Sequence, residues 1–201
     1  MVSTFIAAVI LAGQVSAGLA GPLQYGQRVP LPGDDRATVA EFGRRVKAYM
    51  DVRADATAAV PPFKVTSDIV EIQRTVDKLA IGIRVARFGA QQGDIFSPEI
   101  AGVFRRLVGA SCRDRFTELL AILNEDGESP LPPAVVHARW PEGTPLPTMP
   151  PDLLAALPRL PAELEYRFIN RDLVLRDVDA NLIIDFVPEA IPAGAWTSTS
   201  R

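Results

Sequence analysis

The sequence predicts an α+β fold: an N-terminal helical bundle of about four helices, a proline-rich connector, and a C-terminal antiparallel three-stranded meander. Three observations carry this. Apolar residues recur at spacings of three and four from about residue 36 to about 125. Ten of the 18 prolines then fall between 130 and 161, which ends the helical period and favours an extended strap along the surface. From 164 to 187, three short runs rich in Leu, Ile, Val, Phe and Tyr are separated by turn residues.

Residues 1–17 precede all of this and read as a signal peptide. None of them is charged. Phe5 to Ala12 is an unbroken apolar run, and Val15-Ser16-Ala17 presents the residues that signal peptidase reads. The run is far shorter than the roughly 20 apolar residues of a membrane-spanning helix. The expectation is therefore an exported protein, periplasmic or secreted, cleaved after Ala17 and left without a stable membrane anchor. The expected layout is one α+β domain over 18–192 and a polar tail over 193–201.

Residues 18–35 mix Gly, Pro and Asp without a period and read as an arm. Val39, Phe42, Val46 and Tyr49 then mark an amphipathic helix from about Arg36 to Val60, stopped by Pro61-Pro62. A second helix is expected to be capped at Thr66 or Ser67. It carries Ile69, Ile72, Val76, Leu79, Ile83 and Ala86 on one stripe and ends near Gly93. The short proline connector makes these two helices an antiparallel hairpin. Ser97-Pro98-Glu99 opens a third helix with a cap, a first-turn proline and an acid at the positive dipole end. Its stripe is Ile100, Val103, Phe104, Leu107 and Val108. A fourth helix is expected over about Arg113–Asn124, with Phe116, Leu119, Leu120 and Leu123. Within the strap, residues 135–140 read as a strand and residues 152–157 as a short helix.

The meander can be registered from its turns. Asn170-Arg171 is a tight turn, because Asn tolerates positive φ, and it pairs Phe168 with Leu173 and Tyr166 with Leu175. A second tight turn at Asp179-Ala180 would pair Leu175 with Ile184 and Leu173 with Phe186. All six side chains then share one face, while Glu165 and Arg176 meet on the other.

Composition bounds the function. A formal net charge of −3 gives no general attraction to nucleic acid. The single cysteine, Cys112, cannot form an internal disulfide, so the fold rests on its apolar core. There is no nucleophile elbow, phosphate-binding loop, dinucleotide fingerprint or H-E-x-x-H zinc motif, and the chain has one histidine, His137. No cofactor is implied. The enzymatic alternative is metal-assisted hydrolysis by the C-terminal acids Asp177, Asp179 and Asp185. The register opposes it. It sends Asp177 and Asp185 to opposite faces, with Asp185 on a solvated surface beside Arg167 and Arg176. A second candidate is an anion-facing groove built from Arg84, Arg87, Arg105 and Arg106 near Asp94. The residues thus favour a non-enzymatic envelope protein that binds a protein partner or a small ligand, with the hydrolase as alternative.

Two segments also carry a resemblance. Residues 85–99, VARFGAQQGDIFSPE, and residues 164–178, LEYRFINRDLVLRDV, with NLIIDF at 181–186, resemble a family of uncharacterised exported bacterial proteins. Relatives often carry Gly where this chain has Asn170, and either residue suits the turn. The resemblance implies export and a helical-plus-hairpin fold, and it implies no catalytic residue.

Overall fold

The computed structural model describes residues 33–60, 68–112, 132–140 and 149–192. The expected leader, the helix over 113–124, the Cys112 side chain and the polar tail lie outside the described residues. Four described helices precede a three-stranded antiparallel sheet: α1 (Gly33–Ala58), α2 (Ile69–Ala86), α3 (Pro98–Cys112), α4 (Pro151–Ala156), β1 (Leu164–Ile169), β2 (Asp172–Asp177) and β3 (Leu182–Val187). The α+β class and the order of its parts are those expected from the sequence. No helix of the described residues is long and apolar enough to cross a membrane.

On α1 the buried stripe is Phe42, Val46, Tyr49, Arg53 and Ala56, at alternating spacings of four and three. Helix α2 is capped by the Asp68 side chain, which accepts from the amides of Val70 and Glu71. It ends at Ala86, about two turns before the expected Gly93. Only the centre of its predicted stripe is buried, at Leu79 and Ile83, whereas Ile69 and Ile72 are exposed. The reason is an offset. A Cβ at Gly82 would lie 3.3 Å from that of Ala56, and the Arg87 guanidinium sits over the Tyr49 ring. The two helices therefore run antiparallel with the first turns of α2 extending past the end of α1. Helix α3 buries its whole predicted stripe, Ile100, Val103, Phe104, Leu107 and Val108.

The first hairpin has the expected register, with Phe168 opposite Leu173, Tyr166 opposite Leu175 and Glu165 opposite Arg176. Asn170 adopts φ 53°, the left-handed conformation that the turn requires. The second hairpin departs from expectation. Its loop is longer than two residues, because β2 ends at Asp177 and β3 begins at Leu182. Asp177 closes that loop by accepting from the Ala180 amide at 2.8 Å. Beyond it, Arg176 pairs with Ile183, but Leu175 pairs with Asp185 and Leu173 with Val187. A β-bulge therefore inserts Ile184 as an extra residue and shifts everything after it by one position.

One face of the sheet closes the main core. Tyr166, Phe168, Leu173, Leu175, Ile184 and Val187 join Phe42, Phe96 and Phe104 in a single cluster. The aromatic rings are in direct contact, with Phe42 and Phe96 centroids 5.4 Å apart and Phe104 and Tyr166 centroids 5.9 Å apart. Phe186, expected on this face, is displaced by the bulge and packs on the other side with Ala134, Trp140, Val174 and Ile183. The strap thus covers the outer face, and the sheet is apolar on both sides. Residues 135–140 are not the expected strand. They form a turn followed by a single bridge, Arg139 to Leu182, because His137 at φ 66° breaks the extended run.

Candidate functional site

The arginines singled out in the sequence do not converge on one groove. Arg84 donates from Nε at 3.0 Å and Nη2 at 2.7 Å to the His137 carbonyl, holding the strap turn to α2. Arg87 donates to the Ile184 carbonyl at 3.1 Å and lies 3.9 Å from the Asp94 carboxylate. Burial holds the Arg87 pKa below its usual value, offset by Tyr49, Asp94 and Asp185. Arg105 donates to the Pro188 carbonyl, and Arg106 pairs with Asp35 at the start of α1. Arg84, Arg87 and Asp94 gather around His137, while Arg105 and Arg106 are spent on other elements.

His137 itself carries a pH prediction. Its Nε2 is buried and has no hydrogen-bond partner among the described residues. Burial, then Arg87 and Arg84, push its pKa below the usual 6.5, opposed by Asp94. In the interval between the two values the unfolded chain binds a proton that the native chain does not. Stability therefore falls as pH drops below about 6.5 and stops falling below the folded value. Asn tolerates positive φ, so His137→Asn is expected to fold and to flatten this slope in urea titrations between about pH 8 and pH 5. Glu41, Asp77 and Glu99 do not mask it. Their pKa values are lowered, by Arg45 and Arg44, by Arg139, and by the backbone amide of Glu99 itself together with Ser97, so they respond only at lower pH.

The C-terminal acids are built into the fold. Asp177, fully buried, accepts from the Tyr49 hydroxyl at 2.7 Å, from Arg53 Nε at 2.7 Å and from the Ala180 amide. Arg53 also pairs with the half-exposed Asp179. Burial opposes the Arg53 charge, but the bonds to Asp177 and Asp179 outweigh it and raise its pKa. Burial, reinforced by the Asp177 charge, holds the Tyr49 phenol far above its ordinary range, so it remains a donor.

Asp185 corrects the expectation drawn from the sequence. It lies on the same face as Asp177, toward the helices, and is completely buried rather than solvated. Its carboxylate accepts from the amides of Gly93 at 2.9 Å, Ile95 at 2.7 Å, Phe96 at 2.8 Å and Phe186 at 2.8 Å. This explains the QGDIFSPE segment. Gly93 adopts φ 98°, which favours glycine and turns its N–H toward the carboxylate. Ile95 and Phe96 plug the core, and α3 starts directly after them, its positive end near the charge. The anion that this loop is shaped to hold is the chain's own. Among the described residues, no group of three or more His, Cys, Asp or Glu side chains is placed to hold a metal ion.

The open site lies elsewhere, and the sequence reading missed it. A cavity of about 740 Å³ runs between α1 and the end of α4. One wall is Val39, Phe42, Gly43, Val46, Lys47 and Met50; the other is Ala155 to Arg159 with Pro161. The α1 residues form one face at helical spacing, about 16 Å long at 1.5 Å per residue. Leu153 and Leu157 anchor the opposite wall in the core, and the Tyr166 hydroxyl holds it by donating to the Pro158 carbonyl at 3.0 Å. The volume falls within the range of small-molecule sites, about 300–1,000 Å³. Two cations stand in the lining. Lys47 is paired with Asp51 at 2.7 Å. Arg159 is exposed and makes no hydrogen bond or ion pair among the described residues. A signal for this site was present on α1, where Val39, Gly43 and Met50 widen the apolar face along one edge of the buried Phe42–Tyr49 line.

Comparison with protein-family models gave no match, and neither the curated proteins nor the solved structures gave one.

Proposed function

We propose that this chain is an exported, non-enzymatic binding protein of the cell envelope that holds a small apolar ligand in the groove between α1 and α4. The observation that carries the reading is the groove itself: about 740 Å³, walled by Phe42, Val46, Met50 and Leu157, on a molecule whose buried acids Asp177 and Asp185 and most of whose described arginines are committed to internal bonds. The uncharged leader with Val15-Ser16-Ala17 supports export, and N-terminal sequencing of the exported protein should begin at Gly18.

A groove-filling variant tests the binding reading. Gly43 lines the groove, and a Cβ there would meet nothing within 4 Å. Leucine at this helical position adds propensity worth about 0.5–1 kcal/mol while occupying the cavity. Gly43→Leu is therefore expected to melt no lower than the parent, yet to lose saturable binding of the neutral fluorescent probe N-phenylnaphthylamine. Equal probe binding by both proteins, or none by the parent, would show that the groove is not a ligand site.

A further inference from the structure

Resting on that reading, we infer that the ligand is a single-chain amphiphile with a carboxylate head, of the long-chain fatty acid class, with its head at Arg159 and its chain along α1. The walls suit the chain: one helical face of Val39, Phe42, Gly43, Val46 and Met50 faces the apolar Ala155 to Leu157 segment. Met50 adds a polarizable, adaptable side chain of the kind used at apolar binding surfaces. The charge pattern places the head. Of the two cations in the lining, Lys47 is neutralised by both carboxylate oxygens of Asp51, at 2.9 and 2.7 Å. Among the described residues Arg159 is left with an unmatched charge, on a chain whose net charge is −3. A lone guanidinium offers a planar fork that matches one carboxylate in charge and in geometry. A phosphate head would carry more charge than this one side chain balances. Arg159 also sits two residues before Pro161 and next to Pro158, on the wall that Tyr166 pins to the sheet, so its backbone is held in place.

Displacement of N-phenylnaphthylamine from the full mature chain tests this, with palmitate, hexadecanol and hexadecyl phosphate as competitors. Palmitate should displace the probe at a concentration about tenfold lower than hexadecanol, the return from one charge-assisted pair at a rim. Arg159→Gln should weaken palmitate by about that factor and leave hexadecanol and the probe unchanged, because the side chain is exposed and makes no hydrogen bond or ion pair among the described residues. If palmitate and hexadecanol compete equally in the parent protein, or Arg159→Gln shifts both alike or neither, the head-group assignment is wrong while the groove still binds. Stronger competition by hexadecyl phosphate than by palmitate also overturns it and identifies a phosphorylated head. Failure of the probe to bind at all overturns the groove reading and this inference together.

Discussion

Asp185→Ala is expected to destabilise the protein by about 5 kcal/mol, the largest effect of any single substitution argued from this structure. The carboxylate satisfies the amides of Gly93, Ile95 and Phe96, and the latter two are buried. Alanine leaves these donors with no partner, at about 1–3 kcal/mol for each buried one, and removes the charge that faces the start of α3. A typical domain is stable by only about 5–15 kcal/mol, so the variant should sit near its unfolding midpoint. Urea titration by circular dichroism checks this, through a lowered midpoint at an unchanged slope. Faster amide exchange at Ile95 and Phe96 in Asp185→Asn would locate the loss in the loop. The carboxamide keeps one acceptor but points a donor at another donor, so that variant should lose about half as much. Asp179→Asn is the contrast. Its carboxylate is half exposed, and the change should cost less than about 1 kcal/mol.

Arg53→Ala is expected to cost about 3–5 kcal/mol, the range seen when one partner of a buried ion pair is removed. Arg53 is 7% exposed and Asp177 not at all. Without the guanidinium, the Asp177 charge keeps, among the described residues, the Tyr49 hydroxyl and the Ala180 amide. Tyr49→Phe removes one of those donors and should cost about 1.5 kcal/mol by itself, since a hydrogen bond to a charged group is at stake. The two changes share Asp177 and should not add, and a double-mutant cycle measures their coupling. Simple additivity would mean that Tyr49 and Arg53 do not act on one charge. This network also joins α1 to the second hairpin, so both variants should speed unfolding.

How much was legible in the sequence differs from element to element, for identifiable reasons. Helix α3 was readable in full because every signal was local: a cap at Ser97, a proline at the first turn, and a stripe with no competing apolar face. The first hairpin was readable because Asn170 declares its turn and alternation fixes the rest. Helix α2 was readable as a helix but not in its buried face. Its exposed end is set by the offset against α1, which depends on Gly82 meeting Ala56. The second hairpin failed at one residue. A bulge leaves no reliable mark in composition, and a shift of one position sends Asp185 from the solvated face to the core.

The same distinction governs the candidate site. Arg84, Arg87 and Asp94 were visible as charges and do meet near His137, but the carbonyls that take up the arginines belong to the strap and β3. Arg53 was overlooked, although a charge at the next position of a buried stripe is the signature of a paired buried ion. The groove was overlooked because its far wall, Ala155 to Pro161, lies more than a hundred residues away from α1 in sequence.

By itself, the sequence determined the α+β class, the order of helices, strap and meander, and the first hairpin's register. Those follow from hydrophobic period, caps and turn residues, which act over a few positions. Only the tertiary structure decided that Asp185 fills the anion-holding loop of QGDIFSPE, that Asp177 closes on Arg53 and Tyr49, and that α1 and α4 leave an apolar groove with Arg159 at its edge. Each of these depends on the distance between elements far apart along the chain, and no local preference of the residues encodes that distance.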